Sequence, residues 1–522
     1  MRIGISVEKN RISSVVVNSN GMIIRSEQTR MQGGLSETLK NNIERLVEFR
    51  RHEISHVFIG TDFVRSLLKY HTDHTPIGVV RLAGHQPDIL MPCFNWSQDL
   101  KDNVLIGVET VDGGYDYDGK PITPLSEQHV LEAVQRLVDK GARCIVICGV
   151  FSTFYPDQEQ LVAQIVRDNF NVDILACHEL CTIGFMEREN AGILNATFRK
   201  AFSDRLHDMQ AVFRELKMSC DLYFTQTNGA ILSLKEACLF PFQTIDSALV
   251  NAFVGAKKLT QYQDCCAVYM DESGSYAMVL QEGAVTEHAI NNEITSDDFI
   301  VPGLHRKNIG LNSVVTIDEY RISIGEPCDT MTARTVFTLE AAMRTCNGLT
   351  SFDDKVDVMT AYRVIKTAEN MLIEFYKSMN NKGLIGPLVL IGPAAALFPQ
   401  HETVVVSPFS VFASAYGAAM QGLTCYMTKT VRLTNREKQL TELCDELVQQ
   451  IYDVKGHEPK IVFFDVQPFR YLPEEWAQVT IVATGEVDPP HLSQPETIQE
   501  LIASNVFGVL QKPILYTKVA GK

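Results

Sequence analysis

The sequence has no window approaching about eighteen uninterrupted apolar residues, so no membrane-spanning helix is expected. It has no C-x-x-C pair among its 13 cysteines. The count is odd, and residues such as Cys144 and Cys148 sit inside the apolar run Arg143-Cys144-Ile145-Val146-Ile147-Cys148-Gly149. Free buried thiols are therefore expected, not a disulfide framework. No G-x-S-x-G elbow is present, and no cysteine lies in a basic, helix-start setting, which leaves covalent serine or thiol hydrolysis without support. Positive charge is also short: 47 Lys and Arg stand against 63 Asp and Glu, a net charge of −16. A field of that sign repels phosphate backbones and anionic lipid, so neither nucleic acid nor a membrane surface is expected as partner. The opening Met1-Arg2-Ile3-Gly4-Ile5-Ser6 reads as a strand and not as a charged leader before an apolar stretch, and a cytoplasmic location is expected. Cys177-His178 with Cys181 could supply metal ligands, but no second cluster completes a tetrahedral set, and no metal site is expected.

What is present is ordinary globular composition, 45% hydrophobic and 21% charged over 522 residues. That length is roughly three and a half typical domains, so two or more cores are expected. Ile3 to Val7, a polar turn at Glu8 to Arg11, and Ile12 to Val17 read as strand, turn and strand, and Asn18-Ser19-Asn20-Gly21 turns into Met22-Ile23-Ile24. The same grammar returns far downstream: Cys265 to Met270, the turn Asp271-Glu272-Ser273-Gly274, Ser275 to Leu280, a Gln281-Glu282-Gly283 turn and a further strand. Two such modules roughly 260 residues apart indicate a duplicated fold, since solenoid repeats are far shorter.

Between the modules, strand and helix alternate. Helices are expected over 35–51, 62–70, 126–140 and 157–169, and strands over 56–59, 79–82, 144–150 and 173–176, a pattern that makes a largely parallel sheet with crossover helices. A long helix begins near Glu189, with Leu194, Phe198, Phe202, Leu206, Met209, Phe213 and Leu216 forming its core stripe. Further on, 356–378 reads as a helix, Leu388 to Ile391 as a buried strand turning at Gly392-Pro393, and the small residues from Ala413 to Met420 as a helix packed closely on a sheet. A charged helix follows at 434–454, then strands over 460–484.

The order of these segments resembles the ATP-dependent hydantoinase/oxoprolinase family over essentially the whole chain. The residues that carry the resemblance are Ile59-Gly60-Thr61-Asp62, Gly113-Gly114-Tyr115-Asp116-Tyr117-Asp118-Gly119-Lys120-Pro121-Ile122, and Val150-Phe151-Ser152 with Pro156. They continue with His178-Glu179, Glu187-Arg188-Glu189-Asn190, Leu194-Asn195-Ala196, Thr225-Gln226-Thr227-Asn228-Gly229 and Arg470-Tyr471-Leu472-Pro473. The resemblance implies an α/β chain of two related ribonuclease-H-like domains with mixed sheets and crossover helices, the actin-like ATPase architecture. It implies a first domain over 1–190, a second over 191–430, and a C-terminal α/β extension over 431–522 packed on the core.

Domains of this kind hold ATP with two glycine-rich hairpins of the form D-x-G-G-T-x-T-D, because only glycine lets backbone N–H groups approach phosphate oxygens closely. This chain departs from that pattern. On the first hairpin the family's Asp falls on Ser6, its glycines on Glu8 and Lys9, its threonine on Asn10 and its closing Asp on Ser13. On the second, Tyr269 takes the Asp, Asp271 and Glu272 take the glycines, Gly274 remains within the turn, and Tyr276 takes the closing Asp. The family's Ser-Gly-Pro reads Ser247-Ala248-Leu249, its triple-glycine turn is reduced to a segment around Gly310, and its nucleoside-side turn survives in part at Gly392. Carboxylates thus replace bare backbone. Two like charges about 4 Å apart repel by roughly 1 kcal/mol in water and about 4 kcal/mol near a protein surface, and a triphosphate multiplies this.

Three readings follow. In the first, the chain is a non-hydrolysing structural or regulatory subunit of a cyclic-amide hydrolase system, a homo- or hetero-oligomer with a second hydrolase subunit that needs no cofactor of its own. In the second, it is an active ATP- and Mg-dependent hydrolase opening a hydantoin or lactam ring, with Asp62, Asp116, Asp118, Glu179 and Glu187 as available carboxylates and His178 as acid–base group. Several have a plainer role: Asp116 and Asp118 serving their turn, Glu187 and Glu189 the start of the long helix, and His178 a packed strand end. In the third, the old nucleotide cleft binds an uncharged small molecule.

Overall fold

The computed structural model describes residues 1–48, 51–70, 73–84, 90–94, 96, 98–180, 184–262, 264–280, 294–295, 298–299, 304–318, 321–327, 337–349, 356–379, 386–398, 404–472 and 475–487. The chain opens with β1 (Arg2–Glu8), β2 (Arg11–Val17) and β3 (Ile23–Arg30), then α1 (Leu35–Val47), β4 (His56–Thr61) and α2 (Phe63–Tyr70). A separate layer follows, made of β5 (Ile77–Leu82), α3 (Gln98–Val104), β6 (Leu105–Val111), α4 (Glu127–Asp139), β7 (Cys144–Gly149), α5 (Asp157–Asn169) and β8 (Asp173–Ala176). The long α6 (Phe185–Glu215) then leads to β9 (Asp221–Thr225), β10 (Ile231–Ser233), α7 (Leu234–Leu239) and α8 (Ser247–Thr260).

The second module runs through β11 (Cys265–Met270), β12 (Ser275–Leu280), the short pair β13 (Ile294–Thr295) and β14 (Asp298–Phe299), β15 (Leu304–Lys307), β16 (Ser313–Asp318), β17 (Arg321–Pro327) and β18 (Phe337–Thr338). It continues with α9 (Leu339–Cys346), α10 (Val358–Met379), β19 (Leu388–Ile391), β20 (Val404–Val405) and α11 (Ala413–Met420), and the chain then gives β21 (Leu423–Arg432), α12 (Arg436–Asp453), β22 (His457–Pro468) and β23 (Trp476–Glu486).

The duplication is visible in the pairing. The first sheet runs β10-β9-β4-β1-β2-β3 and the second β15-β12-β11-β19-β20. In each, the opening strand pairs antiparallel with the next (β1 with β2, β11 with β12) and parallel with a later one (β1 with β4, β11 with β19). The meander β1-β2-β3 followed by parallel β4 and β9 therefore matches β11-β12-β15 followed by parallel β19 and β20. This is the duplicated ribonuclease-H-like architecture of the actin-like ATPases.

Each opening strand is buried on both faces; β11 is accordingly a continuous run, Cys265 to Met270, while β1 alternates Ile3, Ile5 and Val7 with the small Gly4 and Ser6. Ile3, Ile5 and Val7 enter the core against α1 and α6 residues such as Leu39, Ile43 and Phe202, each contributing about 1.5–3 kcal/mol. On the opposite face, a Cβ at Gly4 would meet Ala419 N at 2.7 Å, so glycine there lets α11 lie against the strand. The small residues of α11 also face α8, where a Cβ on Gly255 would meet Ala413 Cα at 3.0 Å. That close packing of 413–420 is the one expected from composition.

Several expectations shift. The parallel strands expected as one sheet divide: β4 joins the first sheet, while β5 to β8 form their own parallel layer in the order β6-β5-β7-β8. Residue 190 falls inside α6, and the first sheet is completed beyond it by β9, parallel to β4. The first helix stops at Val47, because Glu48 leaves helical geometry at φ 36°. α6 begins at Phe185, four residues before the expected start. The turn at Gln281-Glu282-Gly283, together with Cys181, Pro473 and everything from 488 to the end of the expected C-terminal extension, lies outside the described residues.

Candidate functional site

The C-terminal end of β1 and the turn Lys9-Asn10 form the first hairpin, and the end of β11 with Asp271 to Gly274 forms the second. Ser6 pairs directly with Ser13, and Tyr269 with Tyr276. The two hairpins thus share one register, and the four positions where the family's aspartates fall are cross-strand partners in both. Arg11, at the start of β2, forms an ion pair with Glu272 of the second hairpin and lies 3.7 Å from Glu8 of its own. The hairpins face each other and are bridged.

Backbone donors in each turn have partners within the chain. Lys9 N donates to Asp62 Oδ2 at 2.9 Å. Ser273 N and Gly274 N donate to Asp271 Oδ1 at 2.7 and 2.9 Å, and Ser273 Oγ joins them at 2.9 Å. Glu8 Oε1 accepts from Ser6 Oγ at 2.9 Å, and the Tyr269 hydroxyl is hydrogen-bonded to the Glu8 carboxylate. Asp62 Oδ1 is buried with no hydrogen-bond partner among the described residues.

So many carboxylates in so little water shift one another. Burial, reinforced by the charges of Glu8 and Asp271 and opposed by the Lys9 N–H, pushes Asp62 up to about 7. Burial also raises Glu8 against the pull of Arg11, and raises Asp271 against the hydrogen bonds from Ser273 and Gly274. Burial holds the Tyr269 phenol protonated well above its usual range, with Glu8 and Asp271 adding to the effect.

The remaining cleft positions support this cluster. A Cβ on Gly310 would meet Gly274 N at 2.5 Å and Glu272 O at 2.7 Å, so its glycine is used by the protein's own hairpin. Leu311 N and Asn312 N bond to Asp271 O and Glu272 O at 2.8 and 3.0 Å. Ser247 Oγ accepts from Thr61 N at 3.0 Å and ties α8 to the end of β4. Beside it, buried Asp246 forms a two-pronged ion pair with Arg65 of α2. Gly392 has φ 86°, and a Cβ there would lie 2.8 Å from the Tyr269 ring. Asn10 is exposed at the tip of the first turn.

Of the acid–base candidates, Asp62 alone belongs to this cluster. His178 follows β8 in the parallel layer, where its Nδ1 lies 2.8 Å from Glu159 Oε2. Glu159, fully buried, also accepts from Gly149 N, Ser152 Oγ and His178 N at 2.7, 2.5 and 2.8 Å. Asp116 is exposed and accepts from Tyr117 N at 2.8 Å, a turn role. Glu187 is exposed in the first turn of α6, its carboxylate lying against Gly184. Glu189 departs from the expected helix-start role: it is buried and paired through both oxygens with Arg81, at 2.6 and 2.7 Å. Arg11 and Glu159 escaped sequence reasoning; only the ladder and the packing show their partners.

Two further groupings collect the family-like segments. Tyr115, Phe154, Tyr155, Phe469, Tyr471 and Trp476 form a chain of ring contacts with centroids 5.3–6.0 Å apart, docking the Gly-rich turn on the C-terminal sheet. Exposed Glu179, with Asn195, Gln226, Thr227 and Asn228, lines a cavity of about 670 Å³ between α6, β10 and β21. Among the described residues, no group of three or more His, Cys, Asp or Glu is placed to hold a metal ion, and no helix is long and apolar enough to cross a membrane. The described cysteines are free, and burial pushes the Cys144 thiol up to about 12.

The nucleotide-free structure of acetone carboxylase, from work on ATP-dependent acetone carboxylation, superposes with a TM-score of 0.70 at 14% identity, covering 95% of this chain and 89% of that one. The ATP-dependent caprolactamase from Pseudomonas jessenii gives a TM-score of 0.64 at 13% identity with the same coverage. These likenesses, with the two matching sheets, define an actin-like ATPase fold. Residues 7–170 match the model of the hydantoinase/oxoprolinase N-terminal region. The acetophenone carboxylase gamma subunit of Aromatoleum aromaticum (strain DSM 19018 / LMG 30748 / EbN1) is 28% identical over 126 residues, which is 23% of this chain and 16% of that protein's length. The likeness to the hydantoinase/oxoprolinase family is carried by that N-terminal region, residues 7–170.

Proposed function

We propose that this chain is a non-hydrolysing member of the hydantoinase/oxoprolinase family, a structural or regulatory subunit of a cyclic-amide hydrolase or carboxylase assembly. One observation carries the reading: turn N–H groups of both hairpins already donate to the protein's own carboxylates, Asp62 and Asp271, while Arg11 spans the gap to Glu272. An internal acid thus takes the place where this architecture cradles a phosphate. ATP and magnesium do not fit these residues. A polyphosphate would displace two carboxylates from their donors and then sit among four acidic side chains, where each ionised carboxylate about 4 Å from a phosphate charge costs about 4 kcal/mol near the surface.

The remaining parts of the reading are its partners and its units. It assembles in the cytoplasm with a second hydrolase-type subunit; that the carboxylase relative is named as a subunit supports assembly with other chains. The first ribonuclease-H-like unit takes in β9 and β10 beyond residue 190, and the C-terminal sheet β21-β23-β22 meets the rest of the chain through the aromatic contacts of Phe469 and Trp476. Phosphate release measured with a panel of hydantoins and lactams, for the chain alone and with a co-purified partner, tests the proposal. No release above the no-enzyme rate from the isolated chain is expected, and substrate-dependent release would overturn it.

A second reading, an active hydrolase opening a hydantoin or lactam ring, is favoured by a different observation. The 670 Å³ cavity gathers Glu179, Asn195, Gln226 and Asn228 from three separate family-like segments; Asn195 is held by Leu239 O and Phe242 N, and a cyclic amide would hydrogen-bond to the half-buried Asn228 amide. Asn228→Asp would then abolish turnover with the partner present, whereas under the first reading it changes only stability.

A further inference from the structure

The C-terminal sheet runs β21-β23-β22, so β22 is an edge strand. It is 12 residues long, and among the described residues it pairs with β23 alone. Edges of this kind are normally shortened, charged or covered, because a free row of N–H and C=O groups pairs with other chains. This one carries Ile461, Val462, Phe463 and Phe464 in succession, 37–58% exposed. Consecutive apolar residues put unburied surface on both faces of the edge, which a partner must cover.

The register shows which partner fits. Lys460 lies opposite Thr484 and Asp465 opposite Thr480, four residues apart on β23, so an irregularity between Ile461 and Phe463 brings Lys460 and Asp465 to the same face. Ile461 lies opposite Ala483 and Phe464 opposite Ile481, so these two share the other face, the one on which Ala483 and Ile481 pack against α12. A second strand of the same sequence laid antiparallel, with Lys460 facing Asp465, places Ile461 against Phe464 and Val462 against Phe463. The match occurs twice across the two-fold axis. Apolar and opposite-charge cross-strand pairs are the units that stabilise a sheet.

We propose that β22 is a self-association surface: two copies of this chain pair antiparallel through it, joining two three-stranded sheets into one six-stranded sheet. The pairing is independent of whether the hairpin cleft takes a nucleotide, so the two ideas fail separately. Sedimentation equilibrium of the full chain tests it, with the Lys460→Glu and Asp465→Lys single variants and the variant carrying both. The wild type is expected to dimerise, each single reversal to weaken the dimer about tenfold or more by setting like charges opposite each other twice, and the double reversal to restore it. Lys460 is exposed and Asp465 is half-buried, its carboxylate accepting, among the described residues, only from the neighbouring Gln467 Nε2 at 2.8 Å, so thermal melting of the monomers should be little changed. A wild type that stays monomeric at every concentration, a dimer indifferent to the single reversals, or singles that the double variant does not rescue would overturn the proposal. So would dimerisation appearing only after deletion of residues 488–522, which would assign the edge to the chain's own C-terminal segment.

Discussion

Replacing Asp62 with asparagine should stabilise the protein above neutral pH and do little at pH 4. In the unfolded chain an aspartate titrates near its ordinary value of 3.8, whereas burial beside Glu8 and Asp271 raises it to about 7 in the fold. Below 3.8 both states hold the proton and nothing is lost. Between the two values the native state binds more protons than the unfolded one, so stability falls as pH rises, and above about 7 the full penalty is present. Three units at 1.36 kcal/mol each set it at about 4 kcal/mol. Asparagine keeps an oxygen for the Lys9 N–H and turns its amide hydrogens toward the side where Asp62 Oδ1 has no partner. Urea unfolding from pH 4.5 to 8.5 is the assay: wild type should lose stability relative to Asp62→Asn up to about pH 7 and then run parallel to it. Parallel curves across the whole range would refute the idea that the cluster is acidic and dry.

Three further outcomes follow from the same contacts. Arg11→Met removes the guanidinium facing Glu8 and Glu272 and should cost about 3 kcal/mol at pH 8, less at pH 5 where the raised carboxylates take up protons; denaturant titrations at the two pH values check it. Glu159→Gln sets amide hydrogens among four donors, and a loss of about 2–4 kcal/mol in chemical unfolding is expected. Gly417→Ala, whose Cβ would lie 2.8 Å from Gly255 N, should cost about 1–3 kcal/mol by forcing α8 and α11 apart, read as a lowered melting temperature.

Much of the fold is written locally. Both hairpins, the β19 strand ending at Gly392 and the small-residue helix at 413–420 follow from period, turn residues and composition, which act over a few neighbours. What was illegible is long-range. Nothing near β9 says that Ile59 and Phe224 are neighbours across a parallel ladder, because a parallel partner arrives only after a long crossover. Nothing near Glu189 names Arg81, so a helix-start role was the reasonable expectation until both ends of the pair were placed in the core. The acidic character of the cleft could be read at Glu8, Asp271 and Glu272. Its neutralisation could not, since Arg11 reaches Glu272 only when the two halves of the duplication close together.

Titration calorimetry of the full chain with Mg-ATP, backed by thermal melting in the same nucleotide, tests whether the two hairpins can hold a nucleotide. No saturable heat and no shift in melting temperature beyond that of magnesium alone are predicted. A ligand at a hundredfold excess over its dissociation constant would stabilise the fold by about 2.7 kcal/mol, and a saturable response of that size, lost in Gly310→Ala, would show that the acidic hairpins still cradle a phosphate chain.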